Sequence, residues 1–278
     1  MTLRNLFYCP LILCLLACNQ TTSQDFSKPV INPQGKTVET RISPPEGYTR
    51  IDADQNSFTT YLRNIPLKPD GSVVKLYNGS PKVSIDVYVA VADLPIGKRD
   101  LHQCADAVMR LRAEYLWQHK RYDEIHFNFT NGFRADYSKW RAGYRISVKG
   151  NEVSWYNANA ASDSYESFWK YLEMVFSYAG TLSLNQELKP TNIDKIKPGD
   201  VFIQGGSPGH AVIVLDVAKH NQTGKHIFML AQSYMPAQEL QILKNRKERD
   251  LSPWYDANFE DELNTPEWTF KKSDLKSF

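Results

Sequence analysis

The sequence has few cysteines outside its first eighteen residues, and it carries no excess of charge of one sign. Three of the four cysteines are Cys9, Cys14 and Cys18, which leaves Cys104 alone in the remainder of the chain. The 33 basic and 31 acidic residues give a formal net charge of +2. The cysteine count excludes a disulfide framework in the body of the protein. The charge balance gives no reason to expect nucleic acid as a partner.

The sequence also lacks the ligand patterns of a metal site. It contains 6 histidines but no His-x-x-x-His motif, no cysteine pair in the body and no cluster of carboxylates at ligand spacing. Hydrophobic residues make up 42% and charged residues 23% of the chain, as in an ordinary globular protein. We therefore expect a folded protein that uses no metal and no cofactor.

No apolar run in the chain is long enough to span a bilayer as a helix, which needs about 20 residues. The run from Leu6 to Ala17 follows Arg4, and this combination is typical of a secretory signal. The run ends in Leu-Leu-Ala before Cys18, which resembles the lipobox of bacterial lipoproteins. The resemblance implies cleavage before Cys18 and a lipid anchor on that residue. An ordinary cleaved signal followed by an unrelated cysteine is the alternative.

These features divide the chain into three parts. Residues 1–17 are predicted to be a lipoprotein signal peptide, and residues 18–45 the lipidated cysteine with a flexible tether, because 19–45 is polar and contains several prolines. Residues 46–278 are predicted to be a single α+β domain with an insertion at about 120–180. The protein is expected in the bacterial cell envelope, lipid-anchored at the outer membrane or the periplasmic face rather than in the cytoplasm.

The strongest predicted helix covers residues 100–119. Its apolar positions recur at helical spacing and form one stripe. These positions are Cys104, Val108, Leu111 and Tyr115. Asp100 followed by Gln103 is predicted to cap the helix. Cys104 is thus expected in the first turn, where the helix dipole lowers the pKa of a thiol.

The second half of the chain predicts an antiparallel sheet. Its four predicted strands are 201–204, 211–218, 227–233 and 239–243. Two further helices are predicted at 57–63 and 164–179, and a β-hairpin is predicted from 73–77 and 83–91. Because the main helix precedes the sheet, the predicted fold class is α+β.

A thiol nucleophile needs an imidazole to accept its proton and a polar group to orient the imidazole. His210 follows a Gly-Gly-Ser-Pro-Gly loop and begins a strongly apolar strand. Gln232 is a polar residue on the next strand, although it could instead meet solvent at the strand's end. The sequence therefore nominates Cys104 as nucleophile, His210 as base and acid, and Gln232 as orienting group. Asp216 lies too far along the strand to replace Gln232, and Asp200 is expected to cap a turn.

These motifs resemble the papain-like cell-wall hydrolases of the NlpC and CHAP type. The resemblance is carried by Gln103-Cys104 at a helix start, Gly199-Asp200 before a strand, and Gly209-His210 before the next strand. It covers roughly residues 98–243. It implies a papain-like core and cleavage of amide bonds, often in peptidoglycan peptides. One departure is Lys98, which lies where papain has its oxyanion-hole glutamine. The backbone N–H of Cys104 and a second donor would therefore have to stabilise the oxyanion.

Three segments are also similar to a bacterial lipoprotein family named only as domain of unknown function 4846. They are 104–115, 208–214 and 230–238. This similarity spans most of the predicted mature chain, but it implies no activity.

Two functions therefore stay open at the level of sequence. The first is a lipid-anchored thiol amidohydrolase or peptidase of the cell envelope. The second is a non-catalytic papain-like scaffold in which Cys104 packs in the core and the protein binds envelope glycan, peptide or a partner protein. The expected partners are the membrane, through the N-terminal lipid, and a peptidoglycan peptide or envelope protein as substrate.

Overall fold

The computed structural model describes Met1 and residues 30–278. The predicted cleavage and lipidation at Cys18, and nearly all of the predicted signal peptide, lie outside these residues. Within 30–278, none of the helices combines the length and the apolar character that crossing a bilayer requires.

The described residues contain six α-helices and fifteen β-strands. The helices are α1 (Val38–Arg41), α2 (Phe58–Arg63), α3 (Cys104–Gln118), α4 (Tyr137–Arg141), α5 (Tyr165–Tyr178) and α6 (Thr181–Glu187). The first seven strands are β1 (Tyr48–Arg50), β2 (Tyr88–Val91), β3 (His126–Asn128), β4 (Arg134–Asp136), β5 (Tyr144–Lys149), β6 (Glu152–Asn157) and β7 (Lys189–Pro190). The others are β8 (Val201–Gln204), β9 (His210–His220), β10 (His226–Gln232), β11 (Gln241–Leu243), β12 (Trp254–Asp256), β13 (Glu262–Asn264), β14 (Thr269–Lys271) and β15 (Leu275–Ser277).

A nine-stranded sheet forms the centre of the protein, and all its pairings are antiparallel. Its main path runs β2-β11-β10-β9-β8-β15-β7. The long strand β9 pairs with β10 on one edge, and on its other edge with β8 near its start and β1 near its end. This arrangement places His210, the first residue of β9, next to the last residues of β10. The predicted α+β class and the four predicted strands are confirmed.

The sheet is buried on both faces. One face carries Ala211, Ile213 and Ala231 and packs against the helices. The other carries Val212, Val214 and further apolar residues, and is covered by the C-terminal segment that includes the β13–β14 hairpin. Burial on both sides explains why β9 and β10 are almost continuously apolar instead of alternating with polar residues.

Helices α2 and α5 confirm the predictions at 57–63 and 164–179. Each begins after a serine, Ser57 or Ser164, whose side chain accepts a hydrogen bond from a backbone N–H three residues later. Helix α3 begins later than predicted, because Gln103 is its N-cap and the Gln103 backbone N–H donates to the Asp106 carboxylate at 2.9 Å. The predicted cap at Asp100 is wrong. Its carboxylate instead accepts a hydrogen bond from the backbone N–H of Ala237 at 2.6 Å.

The predicted hairpin over 73–77 and 83–91 is only partly present. Gly79 turns the chain with a φ of 86°, but around it the structure has single bridges in place of a strand pair. The regular strand is limited to β2. The side chain of Lys82 is buried in an ion pair, whereas those of Val83 and Ile85 are exposed. These two apolar residues therefore face solvent, which is not the pattern of a half-buried strand.

The folded domain begins before the predicted boundary at residue 46. Val38 and Ile42 are fully buried in the core on the helix side of the sheet, and Ile31 bridges to Ile42. Residues 30–45, assigned to the tether from their polar composition, are therefore packed against the domain. Two buried apolar side chains and the capped helix α1 are enough to fix this segment.

Candidate active site

Cys104 is the first residue of helix α3 and lines a cavity of about 290 Å³. Its side chain is buried, with 7% of the residue exposed. The glycine-rich loop 206–209, Thr181 and Met235 also line this cavity. The predicted position of the thiol in the first turn of a helix is confirmed, and the thiol faces a space of roughly the size of the smallest ligand sites.

The glycine-rich loop owes its shape to close backbone contacts. A side chain at Gly209 would meet the backbone oxygen of Gly206 at 2.5 Å and that of Gln204 at 2.8 Å. Gly206 itself has a φ of +136°, which residues with side chains rarely adopt. The Thr181 hydroxyl donates to the Gly206 carbonyl at 3.2 Å and so ties the loop to helix α6. The loop can therefore fold this tightly on itself and against Thr181 only because these positions are glycine.

The pKa of the Cys104 thiol is raised to about 11. Burial is the main cause, and the neighbouring Asp106 carboxylate adds to it. The backbone N–H groups of Ala211, Ala105 and Cys104 itself act in the opposite direction but do not outweigh burial. The expectation that the helix start lowers the thiol pKa is therefore wrong for the free protein, and Cys104 is a neutral thiol at physiological pH.

His210 is fully enclosed, with 1% of the residue exposed. Its ring centroid lies 4.8 Å from that of Tyr234, 5.3 Å from that of Trp268 and 6.0 Å from that of Phe270. Burial lowers the pKa of the imidazole to about 4, although the hydrogen bond to Gln232 and the charge of Glu267 oppose this. His210 is therefore a neutral base at physiological pH.

Gln232 contacts His210 as the sequence predicts. The His210 Nε2 atom lies 2.8 Å from the Gln232 Oε1 atom, and both side chains are buried. The alternative, in which Gln232 meets solvent at the end of its strand, is wrong because 1% of the residue is exposed. The contact arises because the start of β9 and the end of β10 are adjacent in the sheet.

The hydrogen bonds around Gln232 fix the proton on His210. The Gln232 Nε2 atom donates to the Glu267 carboxylate at 2.5 Å, so the amide oxygen must face the imidazole. His210 Nε2 must then carry the proton and donate it, which leaves Nδ1 with a free lone pair. Nδ1 is thus the ring nitrogen available to accept a proton.

Glu267 and Lys82 extend this arrangement and were not found from the sequence. Glu267 lies between β13 and β14 and pairs with the Lys82 ammonium group at 2.6 Å. Lys82 also donates to Gln238 Oε1 at 3.0 Å, and its residue is 7% exposed. Neither residue carries a local signal, because each lies in an irregular segment far along the chain from His210.

Cys104 lies next to the start of β9, where the backbone N–H of Ala211 favours its thiolate. His210 directly precedes Ala211. Within residues 30–278, no hydrogen bond joins the Cys104 sulfur to the His210 ring, since the ring's one side-chain hydrogen bond goes to Gln232. The structure therefore brings His210 and Gln232 together and places Cys104 next to Ala211, with no hydrogen bond between the thiol and the imidazole among the described residues.

The rival acidic residues have other roles. Asp216 is buried and pairs with Arg50 and Arg63, so it stabilises the fold away from His210. Asp200 accepts a hydrogen bond from the backbone N–H of Lys197 at 3.0 Å, as expected of a turn-capping residue. Gly199-Asp200 is one of the motifs that resemble papain-like hydrolases. Here it orders a turn and contributes no group to the candidate site.

Comparisons with known proteins give one match. Neither the curated proteins nor the solved structures contain a significant match to this chain. The family model described as Domain of unknown function (4846) matches residues 38–277, which cover the helix of Cys104, the sheet and the hairpin of Glu267. The chain therefore belongs to the family of domain of unknown function 4846.

Proposed function

We propose that the protein is a lipid-anchored thiol amidohydrolase or peptidase of the bacterial cell envelope, with a papain-like core. In this proposal Cys104 is the nucleophile, His210 the base and acid, and Gln232 the group that orients the imidazole. The observation that carries it is the 2.8 Å hydrogen bond between His210 and Gln232, next to a thiol at the start of a helix. That bond leaves the Nδ1 lone pair of His210 to receive the thiol proton.

The proposed reaction starts from the neutral thiol of Cys104 and the neutral imidazole of His210. When an amide carbonyl occupies the cavity, His210 Nδ1 takes the thiol proton as the sulfur bonds to the carbonyl carbon, and the carbonyl π electrons move to oxygen. The imidazolium returns this proton to the nitrogen of the leaving amine, and the carbon–nitrogen bond breaks. A water molecule, deprotonated by His210, then hydrolyses the thioester, which releases the carboxylic acid and restores the thiol.

The first turn of α3 supplies donors for the developing oxyanion. The backbone N–H groups of Cys104 and Ala105 are directed at the sulfur and favour its negative charge. The Gln103 amide nitrogen donates one of its two hydrogens to Asp100 at 3.1 Å, which leaves one for a substrate oxygen. In this proposal the same two backbone N–H groups at the helix start also bind the oxyanion, in place of the glutamine that is absent at the position of Lys98.

The raised pKa of Cys104 favours a second candidate function. A buried thiol with a pKa of about 11, not hydrogen-bonded to an imidazole, is also expected of a papain-like scaffold that binds envelope glycan, peptide or a partner protein without turnover. In that case the cavity beside Cys104 would be a binding site only. The two functions differ in whether a covalent intermediate forms on the sulfur.

Incubation with muropeptides and a peptide library, followed by mass spectrometry, distinguishes the two functions. The hydrolase predicts cleavage products from the parent protein and none from Cys104→Ala or His210→Ala. His226→Ala is the matched control, because His226 lies on the same sheet, is half-exposed and makes no side-chain hydrogen bond among the described residues. Cleavage that survives Cys104→Ala places the chemistry elsewhere, and binding without cleavage by the parent supports the scaffold.

A further inference from the structure

The hydrogen bonds behind Gln232 form a continuous chain of four side chains. It runs from His210 to Gln232 at 2.8 Å, from Gln232 to Glu267 at 2.5 Å and from Glu267 to Lys82 at 2.6 Å. The four residues come from β9, from β10, from the link between β13 and β14, and from the segment before β2. Four distant parts of the chain therefore converge behind one imidazole.

An amide cannot orient an imidazole unless its own orientation is fixed. The two ends of a glutamine side chain have nearly the same shape, and either one can face a histidine nitrogen. If the Gln232 nitrogen faced His210, Nε2 would have to accept the hydrogen bond and the proton would move to Nδ1, where it would block the base. An ionised carboxylate can only accept hydrogen bonds, so Glu267 allows only the orientation with the oxygen toward His210.

Lys82 supplies the positive charge that faces the Glu267 carboxylate. Its ammonium group is buried, pairs with the Glu267 carboxylate and lies 5.5 Å from the centre of the Tyr234 ring. Tyr234 is also the nearest ring to His210. Lys82 further donates to Gln238, which in turn accepts a hydrogen bond from the Gln241 side chain on β11. The ion pair is thus anchored to the sheet and not to a mobile surface group.

We infer that Glu267, fixed by Lys82, is a positioning residue that holds His210 in the tautomer with the proton on Nε2. The inference takes its chemical consequence from the proposed function, because only that tautomer can accept the Cys104 proton through Nδ1. Neither Glu267 nor Lys82 touches the reacting atoms. They act through Gln232, so their removal changes the state of the imidazole and leaves the thiol and the cavity intact.

The tautomer can be read directly, whether or not the protein hydrolyses anything. Nitrogen NMR of the full chain, labelled with ¹⁵N at histidine and recorded at pH 7.5, separates protonated from bare ring nitrogens, and the signals absent from His210→Gln identify His210. We expect the parent to show only the Nε2–H form. Glu267→Gln should show a population with the proton on Nδ1, because a second amide can both donate to and accept from Gln232.

Matched variants separate positioning from general damage. Glu262→Gln alters an exposed glutamate on the same hairpin, and Lys75→Met alters an exposed lysine near Lys82, so neither should change the tautomer. Lys82→Met should shift the tautomer in the same direction as Glu267→Gln, and Lys82→Arg should restore the parent spectrum. If Glu267→Gln fails to fold, as judged from its amide spectrum, the comparison of Lys82→Met with Lys82→Arg decides.

The inference is overturned if folded Glu267→Gln and Lys82→Met both keep the Nε2–H form, or if the parent carries its proton on Nδ1. The failure of the proposed function has a different signature, namely no cleavage by the parent while the tautomer still responds to Glu267. Where the parent does cleave a substrate, Glu267→Gln should lower kcat by about tenfold to a hundredfold with little change in KM. This loss is smaller than the ~10⁴ expected when the orienting group of a triad is itself altered.

Discussion

The Arg63 side chain donates to the Asp216 carboxylate at 2.8 Å, and both side chains are almost completely buried. Arg50 donates to the other oxygen of the same carboxylate at 2.5 Å. Asp216 lies at the bulge of β9, where Leu215 is the extra residue of the strand. One carboxylate on β9 thus binds arginines of β1 and α2, both of which precede it by a long stretch of chain.

Asp216→Asn should lower the free energy of unfolding by about 3–5 kcal/mol, because it leaves two arginines without their buried counter-charge. Urea denaturation measures this loss. The control is Asp136→Asn, which breaks the exposed ion pair of Asp136 with Arg134 and should cost less than about 1 kcal/mol. Equal losses in the two variants would contradict the stabilising role of Asp216.

Cys104 should react slowly with iodoacetamide in the folded protein. With a thiol pKa of about 11, the thiolate fraction and the rate of alkylation should rise about tenfold per pH unit from pH 7 to pH 10 without a plateau. Mass spectrometry of the peptide that contains Cys104 measures the rate separately from the other cysteines. In the urea-unfolded chain the rate should level off above about pH 8.5, which provides the control. A plateau near pH 7 in the folded protein would show an activated thiolate.

Asp200→Asn should stabilise the protein more at pH 7 than at pH 4. Burial raises the pKa of Asp200 to about 6, and one of its oxygens is buried without a hydrogen-bond partner. Because this pKa lies above that of the unfolded chain, about 3.9, the folded state binds the proton more tightly, and stability falls by about 2–3 kcal/mol as pH rises from about 4 to 6. An asparagine does not ionise and keeps an oxygen for the Lys197 N–H.

Urea denaturation of parent and Asp200→Asn at pH 4 and pH 7 measures this difference. Asp194→Asn is the matched control, because Asp194 is an exposed neighbour in the same loop. If Asp200→Asn raises the free energy of unfolding equally at both pH values, ionisation of the Asp200 carboxylate is not the cause of the increase.

Cys18→Ser should yield an unprocessed or soluble form of the protein. Only Cys18 follows Leu-Leu-Ala, so it is the one cysteine of the first segment that the lipobox resemblance selects for lipidation. Membrane fractionation and intact mass measure the outcome, and Cys14→Ser is the control, which should be processed as the parent is. Unchanged fractionation and mass in Cys18→Ser would contradict lipidation at this residue.

The parts of the site that depend on local pattern could be predicted from the sequence. The period of α3 predicts Cys104 in its first turn, and the polar residue in the otherwise apolar β10 predicts the contact between Gln232 and His210 on the neighbouring strand. The cap of α3 was misassigned because Asp100 and Asp106 are both acidic residues within one turn of Gln103. Only the structure shows that Asp106 contacts the Gln103 N–H while Asp100 binds a different loop.

The other features of the site depend on interactions that exist only in the folded chain. The pKa of Cys104 results from competition between a helix start and burial, and no sequence pattern gives the depth of burial. Glu267 and Lys82 acquire their role from the packing of an irregular C-terminal hairpin against the sheet. The polar composition of residues 30–45 predicts a tether, whereas Val38 and Ile42 pack this segment into the core.

The position of Glu267 on the β13–β14 hairpin has a consequence for the order in which the site is built. Synthesis from the N-terminus places Cys104, His210 and Gln232 in the growing chain before Glu267. Until the hairpin docks, the Gln232 amide can rotate and the imidazole can carry its proton on either nitrogen. His210 and Gln232 are therefore synthesised before the group that fixes the amide between them, so the His210 tautomer is set only in a chain whose β13–β14 hairpin is folded against the sheet.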